Sequence, residues 1–308
     1  MRKPNSALSY LVLILIGLVF IASAVLKLIS IENVDLFLYE HRVLNWTFTS
    51  MASRLLISIE AILGFMLIFR VRPKLTLRLA QIFLFAFSIY VLLKPLVFDL
   101  NDDNCHCFGT VIEFSSYETL AKNLILLAVS FLIPAYNLKP IRHEKLILGG
   151  LGIIIIASVF VVKPPDFIAT RMNISVVNIN QDAMSELISQ KEVDDLGLSQ
   201  GRKVVGLYST NCKYCVMASR KLDVIIKKHG LDEKSFLEIY WGDESRLKEL
   251  NKSRGLEIDW VMVSPLLFLE ATNNRQPLVV LFEDGIIIDA YKLTTINERY
   301  IYEFINNN

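Results

Sequence analysis

The stretch KVVGLYSTNCKYCVMASRKL, Lys203–Leu222, decides the fold of the C-terminal half of the chain. Lys203–Tyr208 is a β-branched apolar run of the length of a buried strand. Ser209-Thr210-Asn211 interrupts it, and Val216–Lys228 beyond the interruption has helical spacing. Between them lies Cys212-Lys213-Tyr214-Cys215. A strand, a tight turn and a C-x-x-C opening a helix is the context in which this motif is a redox site.

The reactive species at such a site is the thiolate, and a cysteine at a helix N-terminus has its pKa lowered by the helix dipole and the unpaired backbone N–H groups. Cys212 has that position, with the positive charge of Lys213 beside it, and is the expected attacking thiol. Cys215, one turn in, is better shielded and suits the resolving role. The alternatives are a structural disulfide or half of a zinc site. Zinc normally takes four ligands, and no suitable Cys/His pair lies near in sequence; His229 is the only histidine in this half. No metal is expected.

Outward from the motif, Ile174–Ile179 reads as a strand and Asp182–Gln190 as a helix upstream. Downstream, Phe236–Tyr240 reads as a strand and Glu244–Lys252 as a helix. Leu278–Phe282 and Ile286–Tyr291 flank Glu283-Asp284-Gly285, a hairpin signal, and Pro277 stands immediately before the hairpin. This order resembles thioredoxin-like domains over roughly 174–304. The resemblance implies an α/β thioredoxin-like fold with Pro277 as the proline in cis beside the dithiol, shaping the surface on which a partner chain lies. The chain departs from thioredoxin itself at three places. Asn211 stands where that protein has tryptophan, Gln276 precedes the proline where Thr or Val is commoner, and Gly206 occupies a strand position where thioredoxin buries an acid. A specialised extracytoplasmic relative fits better than a general reductant.

Upstream the composition changes. The chain of 308 residues is 53% hydrophobic with a mean hydropathy of +0.45, high for a soluble protein, and the excess is concentrated before Val162. Crossing a hydrocarbon core takes roughly 20 helical residues. Five segments qualify: 7–29, 55–69, 75–98, 120–136 and 146–162, the second being the shortest and carrying Glu60. Arg2, Lys3 and the following apolar run up to Ala22-Ser23-Ala24 also imitate a cleavable signal, but the run is long for one and more spans follow. Lys and Arg mark cytoplasmic loops. They crowd before the first span (Arg2, Lys3), between the second and third (Arg70, Arg72, Lys74, Arg78), and between the fourth and fifth (Lys139, Arg142, Lys145). The loop after the third span carries Asp99, Asp102, Asp103, Glu113 and Glu118 instead. The expected topology is an inner-membrane protein with a cytoplasmic N-terminus and an extracytoplasmic C-terminal domain. Residues 1–140 form the helical transmembrane bundle, 141–173 a fifth helix and linker, and 174–308 the soluble domain. Tandem prolines, Pro164-Pro165, end the last span.

The acidic loop holds the second cysteine pair, Asn104-Cys105-His106-Cys107-Phe108-Gly109. A disulfide between residues two apart closes a small ring and is expected to be oxidising. His106 would act on a neighbouring thiol as proton acceptor or charge, or is a plain loop histidine. C-x-C-F-G resembles the signature of the MauE family, membrane proteins of the DoxX-like group, with further matching positions at Ser23–Lys27, Glu60 with Gly64, and Lys122-Asn123. The resemblance covers about 8–137 and implies a four-helix core acting in disulfide formation or maturation of extracytoplasmic proteins. Glu60 and Lys27 are ionisable groups in or at the end of apolar helices, which pair or line a cavity. They are expected to face the bundle interior, the alternative being snorkelling, above all for Lys27.

All four cysteines fall on one side of the membrane in this topology, so the chain cannot carry electrons across by thiol exchange. The expectation is an oxidising relay. Client thiols reduce Cys212–Cys215, which reduces Cys105–Cys107, which passes electrons to an acceptor, with quinone as the candidate. The partners are extracytoplasmic cysteine-containing proteins and the lipid bilayer. A non-turnover maturation factor or chaperone, or a membrane scaffold, is the alternative. A net charge of +1 and the lack of a basic stripe argue against nucleic acid, and no Ser-His-Asp motif supports a hydrolase.

Overall fold

The computed structural model describes residues 6–41, 44–97, 115–131, 144–165, 167–168, 177–252 and 254–306. The chain divides into two compact units, Met1–Phe37 with Thr49–Pro164 and Leu38–Phe48 with Pro165–Asn308.

The N-terminal region is helical, with α1 (Ser6–Ile29), α2 (Ile31–Glu40), α3 (Trp46–Ile68), α4 (Pro73–Val97), α5 (Ser116–Phe131) and α6 (Glu144–Val162). Three stretches, Ser9–Ile29, Trp46–Ile68 and Pro73–Leu93, are long and apolar enough to cross a membrane. The fourth and fifth expected spans fall on α5 and α6, whose described apolar parts are shorter. The second span begins at Trp46 rather than Leu55. Its first turns hold Thr49, Ser50 and Ser53, all fully buried, and the Ser53 hydroxyl donates to the Ser50 carbonyl (3.0 Å) and to Asp35. A hydroxyl satisfied like that of Ser53 sits in an apolar helix at little cost. Leu13, Ile16 and Phe20 of α1 pack with Leu63 and Leu67 of α3, Leu77 and Leu84 of α4 and Leu127 of α5. α1 and α3 approach closely at Gly17 and Gly64, where a Cβ on Gly17 would lie 2.7 Å from the Gly64 carbonyl oxygen. Small residues at such a crossing let helix backbones meet.

The C-terminal unit is built on a five-stranded mixed sheet. Its strands are β1 (Arg202–Ser209), β2 (Phe236–Trp241), β3 (Asp259–Met262), β4 (Leu278–Glu283) and β5 (Ile286–Lys292), in the order β3-β2-β1-β4-β5. β1 runs parallel to β2 and antiparallel to β4, in the register Val204↔Phe236 and Leu207↔Leu278. The β4–β5 hairpin turns on Asp284 and Gly285, both at positive φ (50° and 80°), as a two-residue turn that matches strand twist demands. Alternation divides the sheet into two faces. Val205, Leu207, Leu237, Ile239, Leu278 and Val280 bury one face against α7 (Gln181–Ile188) and α11 (Pro265–Ala271). The other face carries α9 (Lys213–His229) and α12 (Glu298–Asn306). A short α8 (Lys191–Asp194) and α10 (Glu244–Lys252) complete the unit.

The strand expected at Ile174–Ile179 is not found in its described part, since Val177–Ile179 form no strand; 174–176 lie outside the described residues. The neighbouring chain is tied down differently, with Asn180 donating its N–H to the Ala271 carbonyl (3.2 Å) and capping α7 through its side chain. β3, α11 and α12 were not expected from the sequence.

Candidate dithiol site

β1 delivers the chain to the site. Past Ser209 the turn is held by the Cys212 N–H on the Ser209 carbonyl (3.2 Å) and by the Thr210 N–H on the Trp241 carbonyl at the end of β2 (3.2 Å). The Thr210 hydroxyl accepts from the Asp243 N–H (2.8 Å). Gly242, at φ 124°, permits this approach, because a Cβ there would stand 2.2 Å from the Thr210 hydroxyl oxygen.

Cys212 is the N-cap of α9. Its Sγ accepts the Cys215 N–H at 3.3 Å, so the sulfur occupies the place where a helix start is most electropositive. Cys215 is 1% exposed, and its Sγ accepts the Ser209 N–H at 3.4 Å. Both stand as free thiols. Burial first, and then the contact with Cys212, pushes the Cys215 thiol well above the ordinary range. The two sulfurs therefore differ as the chemistry of a dithiol needs, one at the surface and one kept as thiol behind it. The Lys213 ammonium lies over the Tyr214 ring, 5.3 Å from its centroid.

The register Leu207↔Leu278 brings Gln276–Pro277 to the C-terminal end of β1, the end from which the chain enters the cysteine turn. The Gln276–Pro277 peptide is cis. Gln276 is fixed by its side-chain oxygen, which accepts the Trp241 indole N–H at 2.8 Å.

Behind Cys215 the structure brings together residues that sequence reasoning passed over. Glu238 of β2, 1% exposed, accepts from the Ser219 hydroxyl (3.1 Å), the Tyr240 hydroxyl (3.0 Å) and Arg254 Nη2 (3.0 Å). Arg254 also donates through Nε to Asp223 of α9 (2.9 Å). The signals were present: a glutamate inside the apolar strand FLEIYW, and Cys215, Ser219 and Asp223 at i, i+4 and i+8 on one helix face. Gly206 is explained by Tyr208 of the same strand face. A Cβ at Gly206 would lie 2.4–2.6 Å from the outer ring atoms and hydroxyl of Tyr208, which is fully buried and whose hydroxyl has no hydrogen-bond partner among the described residues.

The bundle holds a second polar site. Lys27 Nζ and Glu60 Oε2 are 2.6 Å apart with side chains 8% and 7% exposed, so Lys27 does not snorkel. They line a cavity of about 20 Å³ with Ser23, Phe87, Lys122 and Asn123. Asn123 is 1% exposed and its Nδ2 has no partner among the described residues. A second buried pair, Asp35 with Arg54 at 2.6 Å, was missed by the sequence reading because the apolar run was started one residue later. Cys105, His106 and Cys107 lie outside the described residues. Among the described residues no group of His, Cys, Asp and Glu could hold a metal ion.

Residues 5–136 match the family model described as methylamine utilisation protein MauE. Together with the three membrane-capable helices, that match makes this a membrane protein. No curated protein and no solved structure matches the chain.

Proposed function

We propose that this is a membrane-bound thiol–disulfide oxidoreductase. In this reading the C-terminal unit is a thioredoxin-like domain on the extracytoplasmic side of the inner membrane. The observation that carries it is the placement of Cys212 at the N-cap of α9 with Cys215 buried one turn behind. A client thiolate attacks Cys212 of the Cys212–Cys215 disulfide, and Cys215 leaves with the electron pair of the broken bond. A second client thiolate attacks the mixed disulfide, so the client is oxidised and the pair reduced. Cys105–Cys107 reoxidises the pair by two further exchanges, and quinone reoxidises Cys105–Cys107, taking two electrons and two protons to become quinol. Pro277 and Gln276 shape the surface on which the client lies. The match of the bundle to a MauE model supports a role for it beside the redox domain. The cavity beside Glu60 is the size of one water, so in this reading quinone reaches Cys105–Cys107 from the bilayer and not through that cavity.

The test is trapping in the native membrane with the full chain carrying Cys215→Ala. Without the resolving thiol, Cys212 is expected to remain joined to several client proteins in adducts that dithiothreitol releases. One client only would make the chain a dedicated maturation factor; none would leave a scaffold and overturn the oxidoreductase.

A further inference from the structure

We propose that Arg246, held beside the dithiol by Asn211, selects disulfide segments that carry carboxylates next to their cysteines, the sequence Asp102-Asp103-Asn104-Cys105 of this chain being one. The inference rests on the redox reading above and adds to it the kind of partner that Cys212 meets fastest.

Asn211 is the residue immediately before Cys212, at the position where thioredoxin has tryptophan. Its side-chain oxygen accepts Arg246 Nη1 at 2.9 Å. Arg246 stands in the first turn of α10, and the Asp243 N–H on the Thr210 hydroxyl ties the entry of that helix to the turn that carries Cys212. A guanidinium has five N–H donors in a planar fork. One bond to Asn211 fixes its place, while the side chain stays exposed and keeps its Nε and Nη2 edge for a carboxylate, which such an edge binds through two parallel bonds.

The charged side chains on the two turns that meet here are Lys213, Asp243, Glu244 and Arg246. Asp243 is taken up locally, its Oδ1 accepting the Ser245 N–H and hydroxyl at 2.9 and 2.7 Å. Glu244 is paired with Lys248 one turn on, at 2.8 Å. A positive charge in excess is therefore left beside the attacking thiol, and it offsets the repulsion that a Cys212 thiolate exerts on an approaching carboxylate. The partner that suits this surface is written in the chain itself, because the C-x-C that the relay uses as its oxidant follows directly on Asp102-Asp103. Charge complementarity of this kind acts mainly on the rate of encounter and on the choice of partner.

In the exchange the Cys212 thiolate attacks one sulfur of the incoming disulfide, whose S–S bond breaks, the other sulfur leaving as a thiolate. Cys215 loses its proton and bonds to Cys212 Sγ, which releases the segment as a dithiol. Two electrons pass to the segment, and its two sulfurs take up, through solvent, the protons that Cys212 and Cys215 gave up. Arg246 meets the carboxylate of the segment and takes no part in the bond changes.

The experiment uses the full-length protein in detergent with Cys105→Ser and Cys107→Ser, reduced at Cys212 and Cys215. Two oxidised synthetic peptides are the probes, one with the sequence of residues 102–109 and one in which both aspartates are asparagine. Loss of protein thiols is followed with a mass-tagged maleimide. At about 10 mM salt, where charges are felt over about 30 Å, the acidic peptide is expected to oxidise the parent about fivefold faster than the neutral one, the order of one exposed charge pair. That preference is expected to vanish at about 1 M salt, where the range falls to about 3 Å. Arg246→Gln is expected to lose most of the low-salt preference, and Arg246→Lys, which keeps the charge, to retain much of it. An equal preference in the parent and Arg246→Gln overturns the inference alone. So does a slowing of both peptides by one factor, which would make Arg246 a support of the Cys212 thiolate and not a selector of partners. A parent that neither peptide oxidises overturns the relay reading with it.

Discussion

Tyr208 lies folded over Gly206 in the face of the sheet beneath α9, and the pair behaves as one unit. Because the ring is fully buried it has nowhere to swing, so Gly206→Ala is expected to destabilise the protein by about 1–3 kcal/mol through overpacking. Tyr208→Phe removes only a hydroxyl that has no partner and is expected to be neutral or stabilising by up to about 1 kcal/mol. Thermal unfolding of the full-length protein in detergent checks both, and a large loss in Tyr208→Phe would mean that the hydroxyl is engaged. Two raised groups of α9 contribute to the pH dependence of stability. Asp223 has its folded pKa above the unfolded value of about 3.9, so its contribution is complete below that pH and is lost as pH rises through the folded value. Cys215 has the same sign from about pH 8.5 upward. Asp223→Asn is therefore expected to flatten the first decline and leave the alkaline one. The placement of Cys212 at the start of α9 and of Cys215 one turn in was legible from the spacing of the motif alone. Arg254 was not, because a charged residue outside any apolar run gives no sign of burial until its partner, brought from another element, is known, whereas Glu238 was signalled by its place inside FLEIYW.

Among the elements, those whose sequence pattern carries its own boundaries were readable. β1 and β2 are predominantly apolar, β-branched or aromatic runs, and Asp284-Gly285 fixes the hairpin by turn chemistry. β3, at four half-exposed or exposed residues, has too little alternation to announce itself and is held by pairing to β2. α3 was read short for a different reason, since hydropathy discounts the serines and threonines of its first turns, whereas the helix buries Thr49, Ser50 and Ser53, with the Ser53 hydroxyl bonded to Ser50 and Asp35. α3 also carries two ionised groups inward, Arg54 to Asp35 and Glu60 to Lys27. A buried pair is poor evidence of net stability, but breaking it strands a charge. Glu60→Leu is thus expected to destabilise the bundle by about 3–5 kcal/mol, seen as a lower unfolding temperature in detergent. Adding Lys27→Met should recover much of that loss. If the double variant is no better than the single one, the two side chains are not each other's main support.

For the whole molecule, the proposed relay would require both cysteine pairs to face one compartment, and the orientation argument for this comes from loop charge. Basic residues flank the turn between α3 and α4, where Arg70 and Arg72 take positive φ, and Glu144 opens α6 with a contact from Arg72 at 3.5 Å, consistent with these ends sharing a side. In the proposed topology α5 and α6 both cross as well, an even number of crossings between the C-x-C motif and the C-terminal unit that would return the chain to the side it left. The prediction is that a membrane-impermeant maleimide added to intact spheroplasts after mild reduction labels Cys212 and the Cys105/Cys107 pair alike. Single-cysteine versions of the full chain read each site separately, and a cysteine placed in the Arg70–Lys74 turn should be labelled only after lysis. Cys215, buried in every version, is expected to react at least an order of magnitude more slowly than Cys212, a built-in control that the unit is folded. Labelling of one pair only from outside would separate the dithiols by the bilayer. Exchange between them within the chain would then be impossible, and each pair would need its own partner.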